Sequence, residues 1–294
     1  MTGGGRGLGE AYSRELANRG AAVVVHDNGA DVDGNGHDPG PANDVAAAIR
    51  DNGGRAVACT SDASTESGGS EAVELAVSEF GRLDAIIANA GNAFNTNIES
   101  WPTERFESLL RHHLLAAFHV IRPGFAVMKE AGYGRVVFVS SSAGVFGQHG
   151  MLGYAAAKTG MLGLMKIVAL EGADCGIAAN AIMPMARTRM ADAVMGEAAQ
   201  TEDGSAFLDT LRKDQVAPVV AYLASEACTA TRLVLSAFHG RVGALQIGVT
   251  PGWRAPDGTL TAEAVAAHLP EITDTTGLVV PGSLYDEMGL GFPD

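Results

Sequence analysis

Five short runs of aliphatic and β-branched residues, Ala22–Val25, Ala56–Cys59, Ala85–Ala88, Val136–Val139 and Ile177–Ile182, alternate along the chain with longer stretches of helical periodicity. The helical stretches are Leu8–Asn18, Asp44–Asp51, Ser70–Phe80, Glu104–Ile121 and Leu152–Glu171. Short uninterrupted apolar runs suit strands buried on both faces, and strand–helix alternation builds a parallel sheet with helices on both sides. The pattern predicts an α/β fold with a doubly wound parallel sheet. Ligands bind such sheets outside the carboxyl ends of the strands, so chemistry is sought directly after each run. No internal repeat and no Pro- or Ser-rich linker cuts the chain. Residues 1–294 are therefore read as one domain with a C-terminal extension from about 252 to 294. In that tail Thr261 reads as the N-cap of a short amphipathic helix, Ala262–Leu269, ended by Pro270.

Composition narrows the function classes. With 47% hydrophobic and 18% charged residues, disorder is excluded as the main state, and no apolar run approaches the ~20 residues of a bilayer span. Twenty Lys and Arg against 34 Asp and Glu give a net charge of -14, which repels phosphate backbones and anionic lipid alike. Neither nucleic acid nor membrane is an expected partner. Cys59, Cys175 and Cys228 form an odd set without C-x-x-C, so they read as reduced thiols rather than disulfides or a zinc site. The opening MTGGGRGLGE has no charged-then-apolar signal segment, which makes the cytoplasm the default location.

The stretch Thr2-Gly3-Gly4-Gly5-Arg6-Gly7-Leu8-Gly9 runs directly into the first helix. Glycines there permit positive φ and let backbone N–H groups approach a pyrophosphate at the positive helix end. Eighteen residues after Gly9, Asp27 follows the next strand, where a carboxylate accepts hydrogen bonds from adenosine ribose hydroxyls. Asp27 also repels a 2′-phosphate and favours NAD over NADP. Arg6 argues the other way, because a loop cation could pair with that phosphate; the carboxylate is given precedence. In this fold a hydrophobic strand precedes the glycine loop mid-sheet, yet the sequence starts one residue before Thr2. The reading is that this first strand is absent from the given chain through a misassigned or trimmed start, since losing a doubly paired strand would leave two rows of backbone groups unsatisfied.

Tyr154-Ala-Ala-Ala-Lys158 places a phenol and an ammonium one helical turn apart on one face. A cation beside the hydroxyl stabilises phenolate, so the tyrosine can take a proton from an alcohol as hydride leaves. Together with the glycine loop, Asn89-Ala90-Gly91 after the Ala85–Ala88 strand, and Ser141 thirteen residues before Tyr154, this order and spacing resemble the short-chain dehydrogenase/reductase family, which has a Rossmann-like fold. The resemblance runs from Thr2 to about Met190, and more weakly through Val216–Ser225.

The resemblance implies that Tyr154 is the general acid/base, that Ser141 holds the substrate oxygen, and that Lys158 binds the nicotinamide ribose and lowers the tyrosine pKa. It places Gly3, Gly7, Leu8 and Gly9 around the pyrophosphate, Asp62 and Ala63 beside the adenine, Asn89, Ala90 and Gly91 along the cleft, and Pro184 and Thr188 at the nicotinamide. Ser140 and Ser142 flank Ser141; the thirteen-residue spacing selects Ser141. Where the family usually has an asparagine in a V-N-L stretch, this chain has His112-His113-Leu114. His113 then takes the proton-relay position and would add a group titrating near neutral pH. Pro184-Met185 replaces the usual Pro-Gly, which bears on the substrate mouth.

His113, the phrase Val23-Val-Val-His-Asp27-Asn-Gly29 with its long following loop, and Arg189-Met190 resemble the (3R)-hydroxyacyl-CoA dehydrogenase branch of that family. A small-molecule alcohol or ketone, CoA-linked or steroid-like, is the implied substrate. A homodimer or homotetramer is implied too, through the Tyr154 helix and Glu104–Ile121. Two rivals remain open: a catalytically impaired NAD-binding or scaffold protein, and an NADP-dependent carrier-protein ketoreductase, which the charge and Asp27 count against. Asp31-Val-Asp33-Gly-Asn35-Gly36 opens like an EF-hand loop, but Ala42 stands where a bidentate Glu is needed, so no metal is expected and Asn28–Asn43 reads as a mobile loop. Met161, Leu162, Leu164, Met165 and Val168 read as core and subunit contact.

Overall fold

A computed structural model describes residues 1–256 and 258–290. The chain divides into two compact units, Met1–Ala244 and Leu245–Asp294. The first is the doubly wound α/β body. Its strands are β1 (Ala22–His26), β2 (Arg55–Cys59), β3 (Ala85–Ala88), β4 (Gly134–Val139), β5 (Ile177–Pro184), β6 (Val234–Phe238) and β7 (Arg241–Ala244). Strands β3-β4-β5-β6-β7 form one sheet, parallel except for β7, and β1 and β2 form a second parallel pair. Between the two sheets, Met1 and Thr2 bond to the backbone of both. His26 N donates to Met1 O at 3.0 Å and Thr2 N donates to Ile87 O at 3.1 Å.

Helices cover both faces. They are α1 (Gly7–Asn18), α2 (Gly40–Asp51), α3 (Glu66–Phe80), α4 (Thr103–Leu110), α5 (Ala116–Ala131), α6 (Ser142–Phe146), α7 (Leu152–Gly172), α8 (Arg189–Met195), α9 (Glu202–Thr210) and α10 (Ala217–Leu223). The two-residue period of β1 explains the layering: Val23 and Val25 pack among Val45, Ala46 and Ile49 of α2, while Val24 packs with Ala72 and Ala76 of α3. The centre of the body gathers Tyr12, Ile87, Val137, Val139, Ile182, Val220 and Leu223, all buried. Burying each such aliphatic side chain contributes about 1.5–3 kcal/mol.

Two features of this body differ from the sequence reading. The stretch expected as one helix over Glu104–Ile121 is α4, a π turn over Arg111–Leu115, and α5, which continues through Pro123 to Ala131. Pro123 cannot donate to the carbonyl of His119, and α3 meets that carbonyl with Gly69, where a Cβ would lie 2.5 Å from it. Gly132, at φ 67, ends the helix. Strands β6 and β7 were not expected; their two-residue loop, His239-Gly240, has φ of 52 and 70, the signature of a tight hairpin turn.

The second unit is built from α11 (Ala262–Ala267), α12 (Leu269–Ile272) and α13 (Leu284–Gly289), with a Val249–Val279 bridge. Thr261 caps α11 as expected, accepting from Ala264 N. Pro270, expected to end that helix, instead sits in the first turn of α12, a position where its missing N–H costs nothing. Among the described residues no helix is long and apolar enough to cross a membrane.

Candidate active site

The carboxyl ends of β1, β3, β4 and β5 open onto one cleft of about 570 Å³. Every candidate named from the sequence lines it: Gly3, Arg6, Gly7, Leu8, Gly9, Asp27, Asp62, Ala63, Asn89, Ala90, Gly91, His113, Ser141, Tyr154, Lys158, Pro184 and Thr188.

At one end the glycine loop turns into α1. Gly3 and Gly7 have φ of 62 and 59, which L side chains rarely adopt. A Cβ on Gly9 would lie 1.8 Å from the Gly3 carbonyl oxygen, so the loop can fold back on the helix start only without a side chain there. Asn89 locks the loop from β3, its amide donating to Thr2 O and Gly3 O at 3.1 and 3.2 Å. Asp27 accepts from Gly5 N at 2.9 Å and from Gly29 N at 2.8 Å, one bond to each carboxylate oxygen. Each oxygen keeps a free lone pair, so a ribose diol still has acceptors there.

Arg6, read from the sequence as a loop cation able to pair with a 2′-phosphate, has partners of its own. Its guanidinium donates to the carbonyls of Gly29 and Ala30, both at 3.1 Å, and pairs with Asp38 at 3.4 Å. It holds the base of the loop after β1, which lowers its availability to a 2′-phosphate. That loop is not loose either: Ala93 N donates to Val32 O at 3.0 Å, and Asn92 Nδ2 donates to Asp33 O at 3.0 Å.

At the other end, Ser141 follows β4 and Tyr154 and Lys158 stand on α7. Ser140 turns inward and donates to Lys158 O at 2.7 Å, fixing α7 to the strand end, while Ser141 faces the phenol. Lys158 is buried and donates through Nζ to Val139 O at 2.7 Å; its Nζ lies 5.7 Å from the centre of the Tyr154 ring. Burial lowers the lysine pKa from 10.5 to about 7. The sequence reading had this cation pulling the tyrosine down; the shift found is upward. Burial pushes the Tyr154 phenol above its usual value, with the Ser141 hydroxyl pulling the other way.

His113 lies on the π turn with its ring edge-on to Tyr154 at 5.2 Å. Nε2 is 2.8 Å from Asn92 O, and Nδ1 is buried without a partner. Gly91 must be glycine for this packing, since its Cβ would fall 2.0 Å from the imidazole. The expected near-neutral titration is not found: burial, then the Lys158 charge, hold His113 well below the usual histidine value. His26, buried at the end of β1 and bonded to Ser61 O at 2.9 Å, is lowered to about 4 for the same first reason. Both bind a proton more weakly folded than unfolded. The unfolded chain therefore takes up more protons between about 4 and 6.5, so stability rises with pH across that window and is lost as pH falls through it. A melting series from pH 4.5 to 7 is expected to show this rise. His113→Asn is expected to flatten part of it, and equal slopes would remove His113 from the account.

Sequence reasoning missed Asn92, which directly follows Asn89-Ala90-Gly91, and the apolar part of the cleft wall that Phe146, Met151, Met190, Met195 and Phe207 supply. Thr188 was expected at this end; its side chain also caps α8, accepting from Ala191 N at 3.1 Å. Among the described residues no group of acidic, histidine or cysteine side chains is arranged to hold a metal ion.

The glycine cradle, the tyrosine–lysine turn and the parallel sheet place this protein in a known class: the chain belongs to the short-chain dehydrogenase family, whose family model matches residues 1–198. A protein of Mycobacterium tuberculosis named as a short-chain type dehydrogenase/reductase is 38% identical over 282 residues, 96% of each chain. A hydroxyacyl-CoA dehydrogenase of the same organism is 33% identical over 77% of this chain and 72% of its own. The full-length peroxisomal multifunctional enzyme type 2 of Drosophila melanogaster superposes with a TM-score of 0.78 at 27% identity, over 98% of this chain. This chain spans 47% of that one. The protein is accordingly an oxidoreductase acting on CH–OH groups, with a nicotinamide cofactor, NAD or NADP. The bare cradle over Gly3 and Gly9 and the open acceptors of Asp27 fit such a dinucleotide.

Proposed function

We propose that the protein uses NAD to interconvert a secondary alcohol and a ketone on a 3-hydroxyacyl-CoA or steroid-like substrate. The observation that carries this reading is the convergence of Ser141, Tyr154 and Lys158 with the Asp27 carboxylate in one cleft. The cofactor supplies the hydride acceptor in the oxidative direction. Ser141 donates to the substrate oxygen and orients it toward the phenol. Tyr154 exchanges the proton of that oxygen, and Lys158 holds its Nζ beside the ring, where a charge stabilises phenolate. His113, neutral and with a buried free Nδ1, offers a hydrogen-bonding station behind Tyr154 rather than a titrating one.

Asp27 supports NAD because a pinned carboxylate repels a 2′-phosphate, and Arg6 is already engaged with Gly29, Ala30 and Asp38. The methionine-rich lining, extended by the exposed Met185 in place of the family's usual glycine, supports a long apolar acyl or polycyclic substrate, since thioether side chains adapt to varied shapes. Exposed Leu115 and Phe118 at α5 and Ile167 and Leu170 on α7 support a homodimer or homotetramer. The test is coenzyme reduction at 340 nm with (3R)-3-hydroxyacyl-CoA thioesters of graded chain length and with hydroxysteroids, each with NAD and NADP. The expected result is turnover with NAD that improves with the apolar length of the substrate. Preference for NADP would overturn the Asp27 argument, and no turnover across the panel would overturn the substrate class.

A further inference from the structure

The segment from Asn28 to Pro39, between β1 and α2, does not run free over the surface. At its base Gly29 N donates to Asp27, Arg6 holds the carbonyls of Gly29 and Ala30, and Asp38 N donates to Asn28 O at 2.9 Å. Its middle is preorganised by Asp31, whose Oδ1 accepts from Asp33 N at 3.0 Å and Asn35 N at 2.9 Å. Its tip reaches the far wall of the cleft. There Asp33 pairs with Arg105 of α4 at 3.3 Å, Asp33 O accepts from Asn92 Nδ2, and Val32 O accepts from Ala93 N.

Two details make the tip a fitted contact. Gly34 has φ of 88, and a Cβ there would fall 2.8 Å from Asn92 Nδ2 and 3.0 Å from the His112 ring. Asn92 is 4% exposed and its amide has a second acceptor, Ser108 Oγ at 3.1 Å, which itself lies 3.2 Å from His112 Nδ1. Asn28, Ala30, Asp31, Val32 and Gly34 line the same cleft as the glycine loop.

We propose that residues 28–39 are a strap clasped across the cofactor cleft, and that Arg105 and Asn92 are positioning residues that set how long the nicotinamide cofactor stays bound. The inference rests on the cofactor cleft assigned above and concerns its regulation. The strap walls the cleft between the Asp27 end and the His113 end, so a bound dinucleotide leaves only when the tip contact opens. The ion pair is partly exposed, and such pairs hold modestly; the bond from the buried Asn92 amide to Asp33 O, with that amide oriented by Ser108, holds more. The same asparagine carries the carbonyl against His113 Nε2, so the clasp and the wall behind Tyr154 share one residue.

The test uses the full chain and two readouts: stopped-flow displacement of bound NADH, or of NADPH where that binds more tightly, and amide hydrogen exchange of residues 29–38 without coenzyme. Arg105→Gln is expected to raise the dissociation rate about two- to five-fold, the range an exposed ion pair supports. Asn92→Ala is expected to raise it about ten-fold, with faster strap exchange in both variants. Added salt should speed release from the wild type and leave Arg105→Gln nearly unmoved, because the variant has lost the screened pair. Arg105→Lys should restore most of the residence time. Unchanged dissociation in both variants, each shown folded by its melt, overturns the proposal, as does faster exchange with unchanged dissociation. A wild type that binds neither coenzyme overturns the cofactor assignment first, and the strap's role falls with it.

Discussion

Tyr154→Phe is expected to lower turnover by about 10²–10⁴-fold while leaving coenzyme affinity within a few-fold of wild type. The substitution removes only the phenol oxygen. The ring stays, with its edge-on contact to His113 and its place under the Lys158 ammonium, so the fold has no cavity to absorb. What disappears is the group that exchanges the substrate proton. Ser141 is placed to orient an oxygen rather than to replace the phenol: its Oγ faces Tyr154 and already accepts from Ala143 N at 3.2 Å. Initial rates with the best alcohol, beside a fluorescence titration of NADH, separate the two effects. Turnover within ten-fold of wild type would falsify the role of Tyr154, and a parallel loss of coenzyme binding would show that the ring had moved.

Lys158→Met is expected to pull activity and stability in opposite directions. The wild-type ammonium sits buried against one carbonyl, and its pKa falls from 10.5 to about 7 because that environment disfavours charge. The unfolded chain therefore binds more protons between about 7 and 10.5, and wild-type stability rises with pH through that window. Below it the full cost of the buried charge is present. At about 1.4 kcal/mol per pKa unit that cost is a few kcal/mol, offset by about 1 kcal/mol for the lost bond to Val139 O. Methionine has a similar length and no charge, so coenzyme-free Lys158→Met should melt about 5–10 °C higher than wild type at pH 6, with the gap closing toward pH 10. Its turnover should fall by about 10²-fold or more. A melting gap independent of pH would show that packing, not the charge, sets the difference.

The two ends of the site were legible in the sequence for a shared reason. The glycine loop and the Tyr154–Lys158 turn are local, each written within one helical turn or one loop, so spacing alone fixes their relative geometry. Asp27 was legible because it directly follows a strand whose direction the alternation of elements already sets. The direction of the Tyr154 shift was not, because it depends on how deeply the sheet buries the phenol and on Lys158 turning to Val139 O. The engagement of Arg6 was not legible because two of its acceptors, the carbonyls of Gly29 and Ala30, have no side-chain signature, and the third, Asp38, lies 32 residues away. The strap's clasp joins Asp33 to Arg105, residues on different elements that no periodicity connects. Strand β7 escaped notice for a different reason: none of its residues is buried, so it has no apolar alternation to read.

The π turn at Arg111–Leu115 also sets the phase between two stretches of helix. A π turn carries one residue more than an α-helical turn, and each residue of an α-helix advances the chain by about 100°. Were the same residues wound as one uninterrupted α-helix, without the wide turn, α4 would be turned by about 100°, roughly a quarter turn, relative to α5. Arg105 and Ser108 would swing away from Asp33 and Asn92, while Pro123 and the α3 contact stayed in place. The wide turn thus acts as a gear: by absorbing one residue it keeps the half of the helix that grips the strap in register with the half that is anchored to the sheet.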